Sequence, residues 1–210
     1  MMNKDIWMKI AILTIGNELT SGRTQDTNTA LIARTCHQRS WPVTAALSVG
    51  DDEAAIKRAL AFAMDGADAV IVTGGLGPTA DDITTAAVAR AFGLALETNE
   101  TVLAKLKEIF ARVRLTWTEN NAKQAVFPEG AQVITNPIGT APGFAIRQEG
   151  RLIVVIPGVP REIGRMLPEG VIPLLQQQFP DAASQVVTRT IKTFGLSESG
   201  DRDDPDCPQF

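Results

Sequence analysis

Residues 69–92 constrain the fold more than any other stretch of the 210-residue chain. Ala69-Val70-Ile71-Val72 is a short apolar run, the pattern of a buried strand. Thr73-Gly74-Gly75-Leu76-Gly77-Pro78-Thr79-Ala80-Asp81-Asp82-Ile83-Thr84 follows, and residues 84–92 then read as a helix that Gly93 stops. A strand, a glycine-rich turn and a helix start form an arrangement whose backbone N–H groups can hold an anion. Glycines at three positions permit positive φ and close approach of a ligand to the main chain. The stretch has no Gly-Lys-Ser/Thr, so it is not a P-loop, and its glycines are not spaced Gly-x-Gly-x-x-Gly. It carries Asp81 and Asp82 instead. Carboxylates repel a phosphate, so their presence beside an anion site suggests a divalent cation between the two, Mg²⁺ in the simplest case. Capping of the following helix is the competing explanation for either Asp.

The flanking chain predicts an α/β domain with a mostly parallel sheet. Residues 9–16 are almost continuously apolar, as expected of a central strand covered on both faces. Gly16, Asn17 and Glu18 then leave that strand in a loop, where ligand sites of parallel sheets commonly lie. Asp26-Thr27-Asn28 is a cap-rich start to the next helix. His37, the only histidine, has no Ser or Cys partner in the sequence nearby and reads as ordinary structure; Cys36 reads as a small packed residue. A strand over residues 43–49 ends at Gly50-Asp51-Asp52. Ala55, Ile56, Ala59, Leu60 and Ala63 then share one face of a helix. Capping explains Asp51 and Asp52 taken alone; parallel strands would bring Asp51 to the same sheet edge as Gly16 and the glycine turn. Val102, Leu103, Leu106, Ile109, Phe110 and Val113 form a second helical stripe, read as core. A short strand starts at Gln132-Val133-Ile134, residues 136–143 form a loop, and residues 144–156 form a hairpin about Gln148-Glu149-Gly150-Arg151.

The turn resembles the signature of the MoaB/Mog-type molybdopterin-binding domain. With Leu76 and a double Asp, it resembles the competence/damage-inducible CinA family. Further segments support this: Gly16, Glu18, Leu19 and Gly22; Asp26-Thr27-Asn28; Asn120 or Asn121 with Lys123 and Gln124; Asn136, Gly139, Thr140, Ala141 and Gly143; Pro157, Gly158, Pro160 and Glu162. The likeness extends over about residues 9–199. It implies a three-layer α/β/α domain over residues 8–176, then the start of an incomplete appended domain over 177–199. Residues 200–210 read as a disordered tail. The nicotinamide-nucleotide deamidase module of longer relatives is not expected here.

The resemblance also implies chemistry. Asp51 and Asp82 stand where the MoaB/Mog relatives use acidic residues, and Lys123 offers the cation that the glycine turn lacks. These three are the catalytic candidates, and Asp51, Asp81 and Asp82 the candidate holders of Mg²⁺, Mn²⁺ or Co²⁺. The candidate ligand contacts are Gly16, Asn17, Glu18, Gly74, Gly75, Leu76, Gly77, Pro78, Thr79, Thr84, Asn120, Gln124, Asn136, Gly139, Thr140, Ala141, Gly143, Pro157 and Gly158. The implied activity is hydrolysis of a nucleotide pyrophosphate such as ADP-ribose. Alternatives are molybdopterin binding or adenylyl transfer in molybdenum-cofactor assembly, and a non-catalytic nucleotide-binding module. A net charge of −4 and the lack of a basic cluster speak against nucleic acid. No apolar run approaches a membrane span. Two distant cysteines and the lack of a signal sequence suggest the reducing cytoplasm, and related folds commonly self-associate as homo-oligomers.

Overall fold

The structure, a computed structural model, describes residues 7–114 and 116–182. The strand expected over residues 186–194 and the tail lie outside the described residues. Among the described residues, six strands form the main sheet: β1 (Ile10–Ile15), β2 (Val43–Val49), β3 (Ala69–Thr73), β6 (Gln132–Ile134), β7 (Gly143–Gln148) and β8 (Arg151–Ile156), in the order β2-β1-β3-β8-β7-β6. β2, β1, β3 and β8 are mutually parallel, and β7 runs antiparallel to both β8 and β6. The predicted hairpin is the β7–β8 pair, and its turn places Glu149 and Gly150 both at positive φ, the geometry that matches strand twist in two-residue hairpins.

Alternation within each central strand produces two cores. Ile10 and Ile12 pack on one face with Ile71, Val154 and the helices α2 (Thr27–His37), α6 (Pro160–Met166) and α7 (Ile172–Gln178). Ala11, Leu13 and Ile15 pack on the other with Val70, Val72, Val155 and the helices α3 (Glu53–Met64) and α4 (Thr84–Ala91). This is the expected three-layer α/β/α domain. All six β1 residues are buried, so truncating Ile12 or Leu13 to Ala costs about 2–5 kcal/mol.

Several local expectations needed revision. Residues 17–20 form a short helix, α1 (Asn17–Thr20), where a loop was expected. A two-stranded sheet, β4 (Leu96–Thr98) with β5 (Val126–Pro128), had no clear pattern in the sequence. In α5 (Glu100–Arg112) only Leu106 and Phe110 are buried. Val113 is 51% exposed, because it follows the last helical turn and leaves the apolar stripe. The chain stays packed on the domain beyond residue 176: Ala182 is buried, and its carbonyl accepts a 3.0 Å hydrogen bond from Trp41 Nε1. Cys36 is buried and His37 exposed, as expected; burial pushes the Cys36 thiol up to about 12, consistent with a packed rather than reactive cysteine.

Candidate functional site

The sheet order places a crevice between β1 and β3. From β1 the chain crosses to α2 on one face, and from β3 it enters α4 on the opposite face. Loops that diverge this way open a gap at the carboxyl ends of the strands. A cavity of about 750 Å³ lies there. Ile15 and Gly16 contribute from β1, Asp51 from beyond β2, Thr73 and the glycine loop from β3, Thr140 and Ala141 from the loop before β7, and Pro157 and Gly158 from beyond β8. The expected convergence of Gly16, Asp51 and the glycine turn follows from the parallel registers.

Two glycines of the loop require positive φ, Gly74 at 110° and Gly75 at 65°; Gly77 does not. A Cβ on Gly74 would collide with the Ile15 carbonyl oxygen, and one on Gly75 with the Thr84 hydroxyl. Side chains are therefore excluded at these two positions by the protein itself. Gly74 N donates to Ile156 O at 3.1 Å and Thr84 N to Gly75 O at 3.2 Å, which pins both ends of the turn. Between those pins, the N–H groups of Gly75, Leu76 and Gly77 donate to no described residue. Successive backbone N–H groups left unpaired in a turn are the kind of donors from which anion-binding concavities are built.

The carboxylates hold loops as well as lining the cavity. Asp82 Oδ2 accepts from Thr79 N at 2.8 Å and Thr79 Oγ1 at 2.6 Å. Neither Asp81 nor Asp82 caps α4, whose N-cap is Ile83 without a side-chain bond. Asp51 Oδ2 accepts from Asn17 N at 2.9 Å, and Asn17 Oδ1 accepts from Asp51 N at 3.1 Å. This reciprocal clamp ties α1 to the end of β2, whereas Asp52 is the residue that caps α3. Asp26 caps α2 through Thr29 N at 2.9 Å and also meets the hydroxyls of Thr29 and Thr14. Burial pushes the Asp26 carboxyl up, but the Thr29 and Thr14 hydrogen bonds outweigh it and hold the pKa below the ordinary value. Glu18, Asp26, Asp51, Asp81, Asp82 and Glu162 all line the cavity, and Arg23 is the one Lys or Arg among its described lining residues.

The cavity gathers Gly16, Asn17, Glu18, Asp51, Gly74, Gly75, Leu76, Gly77, Thr79, Asp81, Asp82, Gln124, Thr140, Ala141, Pro157 and Gly158 from the expected set. Other candidates take supporting positions. Lys123 Nζ donates to Thr79 O at 2.8 Å and lies off the cavity lining, bracing the turn from outside. The expected role for it as the loop's cation is therefore not what its placement favours. Asn120 is exposed and off the lining. Its neighbour Asn121 is buried, and its Oδ1 accepts from Thr118 N and Oγ1 to fix the 3₁₀ turn Glu119–Ala125. Asn136 staples its own loop, donating to Ala141 O and Glu162 Oε2 and accepting from Gly139 N. Pro78, Thr84, Gly139 and Gly143 also lie off the lining; Thr84 is buried under the glycine turn. Arg23, Asp26, Asn28 and Val159 were missing from the expected contacts. The signal for Asp26 and Asn28 is the cap-rich segment after β1, which by itself announces only a helix start.

A three-layer α/β/α domain with a glycine loop at its switch point defines the fold class, and comparison with known proteins identifies the family. The chain belongs to the family described as "Probable molybdopterin binding domain", whose model matches residues 11–177. Within it the similarity is to CinA-like proteins. That of Syntrophus aciditrophicus is 58% identical over 192 residues, 91% of this chain and 46% of the relative, and that of Geobacter sulfurreducens is 44% identical over 194 residues, with the same two shares. The chain thus spans about half the length of these curated relatives. Among solved structures, the CinA protein of Thermoplasma acidophilum superposes with a TM-score of 0.73 at 31% identity, covering 83% of this chain and 99% of that one. The molybdopterin biosynthesis enzyme MoaB of Thermus thermophilus shares the fold, with a TM-score of 0.57 at 23% identity over 83% of this chain and 96% of that one.

Proposed function

We propose that this domain binds a nucleotide pyrophosphate of the ADP-ribose type in the switch-point cavity and hydrolyses it with a divalent cation. The observation that carries this reading is the juxtaposition of three unpaired amides, Gly75 to Gly77, with the cavity-lining carboxylates Asp51, Asp81 and Asp82. The amides match the charge that develops on a phosphoryl oxygen, and Arg23 adds a positive side chain on the same lining. Carboxylates alone would repel such a substrate, so the reading requires a cation.

The donors present fit a shared site better than a preformed one. No group of three His, Cys, Asp or Glu able to hold a metal forms among the described residues. Asp51 uses Oδ2 on the amide of Asn17 and Asp82 uses Oδ2 on Thr79 within its own loop, while Oδ1 of each makes no hydrogen bond among the described residues and is free to serve as a ligand. One or two carboxylates completed by substrate phosphates and water is the usual manner of holding Mg²⁺, and Mn²⁺ or Co²⁺ would suit the same donors. Such an ion would supply polarisation of the phosphoryl group and a more acidic bound water. The chain's own part is to orient the diphosphate on the glycine loop and to keep Asp51 and Asp82 in place through their loop clamps.

A second reading has its own support: the family's description favours a pterin ligand, and adenylyl transfer is the reaction proposed with it. The test is to incubate purified protein with ADP-ribose, FAD, NAD and a pterin, each with Mg²⁺, Mn²⁺ or Co²⁺, and to separate the products by chromatography. Release of AMP and ribose phosphate from ADP-ribose, lost on chelation, supports hydrolysis. Pterin binding without nucleotide turnover supports the second reading. Nucleotide binding without turnover identifies a non-catalytic module.

A further inference from the structure

The tip of the glycine turn is closed on itself. Thr79 N donates to Asp82 Oδ2 at 2.8 Å, Thr79 Oγ1 donates to the same oxygen at 2.6 Å, and Asp82 N donates back to Thr79 O at 3.3 Å. These bonds make residues 79–82 one small unit, and none of them ties that unit to the body of the domain. Thr79, Ala80 and Asp81 are exposed, so packing does little to hold the tip. The nearest buried anchors are Leu76 before it and Thr84 after it. A segment with few buried contacts, bonded only within itself, can pivot about its ends at little cost.

One bond reaches it from elsewhere. Lys123 Nζ donates to Thr79 O at 2.8 Å. Among the described residues this is the only hydrogen bond that joins residues 76–82 to another part of the chain. The far end of the strut is itself fixed. Lys123 stands in the 3₁₀ turn Glu119–Ala125, which the bonds between Thr118 and Asn121 hold and in which Gln124 and Ala125 are buried. That turn leads into β5, whose strand partner is β4 and not a strand of the main sheet. Lys123 thus ties the turn that grows out of β3 to a separate part of the domain. Its ammonium can only donate, which suits a carbonyl acceptor. The side chain is exposed, so the bond contributes little to global stability; what it fixes is position.

We infer that Lys123 is a positioning residue: through the Thr79 carbonyl it sets where the Asp82 carboxylate and the Gly77 amide stand against the rest of the cavity. It acts through Thr79 and touches no ligand. The choice of an ADP-ribose probe rests on the reading given above; the tether does not.

The experiment has a ligand-free arm and a binding arm. In the first, ¹⁵N relaxation reads the order of the Ala80 and Asp81 amides in wild type, in Lys123→Met, and in Lys123→Cys alkylated with 2-bromoethylamine. Alkylation restores an ammonium at lysine length, and wild type treated the same way controls for Cys36 and Cys207. Order parameters should fall from about 0.85 in wild type to below about 0.6 in Lys123→Met, and return with the aminoethyl group. In the second arm the same proteins are titrated calorimetrically with Mg²⁺ and α,β-methylene ADP-ribose, which cannot be cleaved between its phosphorus atoms. Affinity should fall about tenfold in Lys123→Met and recover on alkylation, because the donors are present but misplaced. Tm should fall by no more than about 4 °C.

Unchanged order at Ala80 and Asp81 in Lys123→Met overturns the inference, whatever the affinity does. Order lost with affinity kept overturns it too, since the tether then has no bearing on the site. A much larger fall in Tm, or an affinity that alkylation does not restore, makes the lysine merely structural and overturns it likewise. If wild type does not bind the analogue, the ADP-ribose reading fails by itself, and the tether stands or falls by the relaxation arm.

Discussion

In Asp82→Ala, Thr79 loses the acceptor for its N–H, at 2.8 Å, and for its hydroxyl, at 2.6 Å. Hydrogen bonds to a charged acceptor contribute about 1.5–3 kcal/mol when shielded from water. Thr79 is exposed and Asp82 half-buried, so water recovers part of that, and about 1 kcal/mol per bond is the expected net loss. Two bonds together give about 2 kcal/mol, or a fall in Tm of roughly 4–8 °C for a chain of this length. Asp82→Asn keeps one carbonyl oxygen able to take both donors, and its Tm should fall by no more than about 4 °C. The charge is removed in both variants, so turnover of ADP-ribose with Mg²⁺ should drop by about 100-fold or more in each. The separation is read by thermal melts beside single-turnover assays. If Asn and Ala destabilise equally and activity falls only in proportion to unfolding, Asp82 is a loop residue and nothing more. If Asp82→Ala melts with wild type, the Thr79 clamp contributes nothing and the argument from these distances fails.

Two further perturbations test the architecture around that loop. Gly75→Val puts a β-branched side chain at φ 65° and against the Thr84 hydroxyl; it should cost about 2–3 kcal/mol in a denaturant titration, and wild-type stability would show that the turn can relax at no cost. Asp26 titrates below its ordinary 3.8 in the folded protein, so its contribution to stability is present above that value and is lost as pH falls through the lower folded pKa. The stability difference between wild type and Asp26→Asn should therefore shrink as the pH is taken below about 4. A difference that stays constant from pH 6 to pH 3 would refute the account of Asp26.

The division between what sequence and fold each settle is visible in particular residues. Continuous apolar runs at 10–15 and 69–72 and the helical stripes identified the mostly parallel sheet, and the Gly150 turn its antiparallel hairpin, because burial on both faces and turn geometry are local patterns. The glycine turn was legible for the same reason: positive φ at Gly74 and Gly75 is a backbone demand that sequence records directly. The partners of polar groups were not legible. Asp51 bonds a backbone amide 34 positions away, Lys123 a carbonyl 44 away and Asn28 one 130 away. Such pairings depend on which strand ends the topology brings together, and the sequence near each residue carries no trace of them. That is why Asp51 and Asp52 looked alike as caps although only Asp52 is one, and why Lys123 could be placed in the cavity when it braces the loop from behind. Residue types at the strand ends determined that there would be a site; the order β2-β1-β3-β8 decided which of them face it, because only chain ends that diverge to opposite layers leave room for a ligand between them.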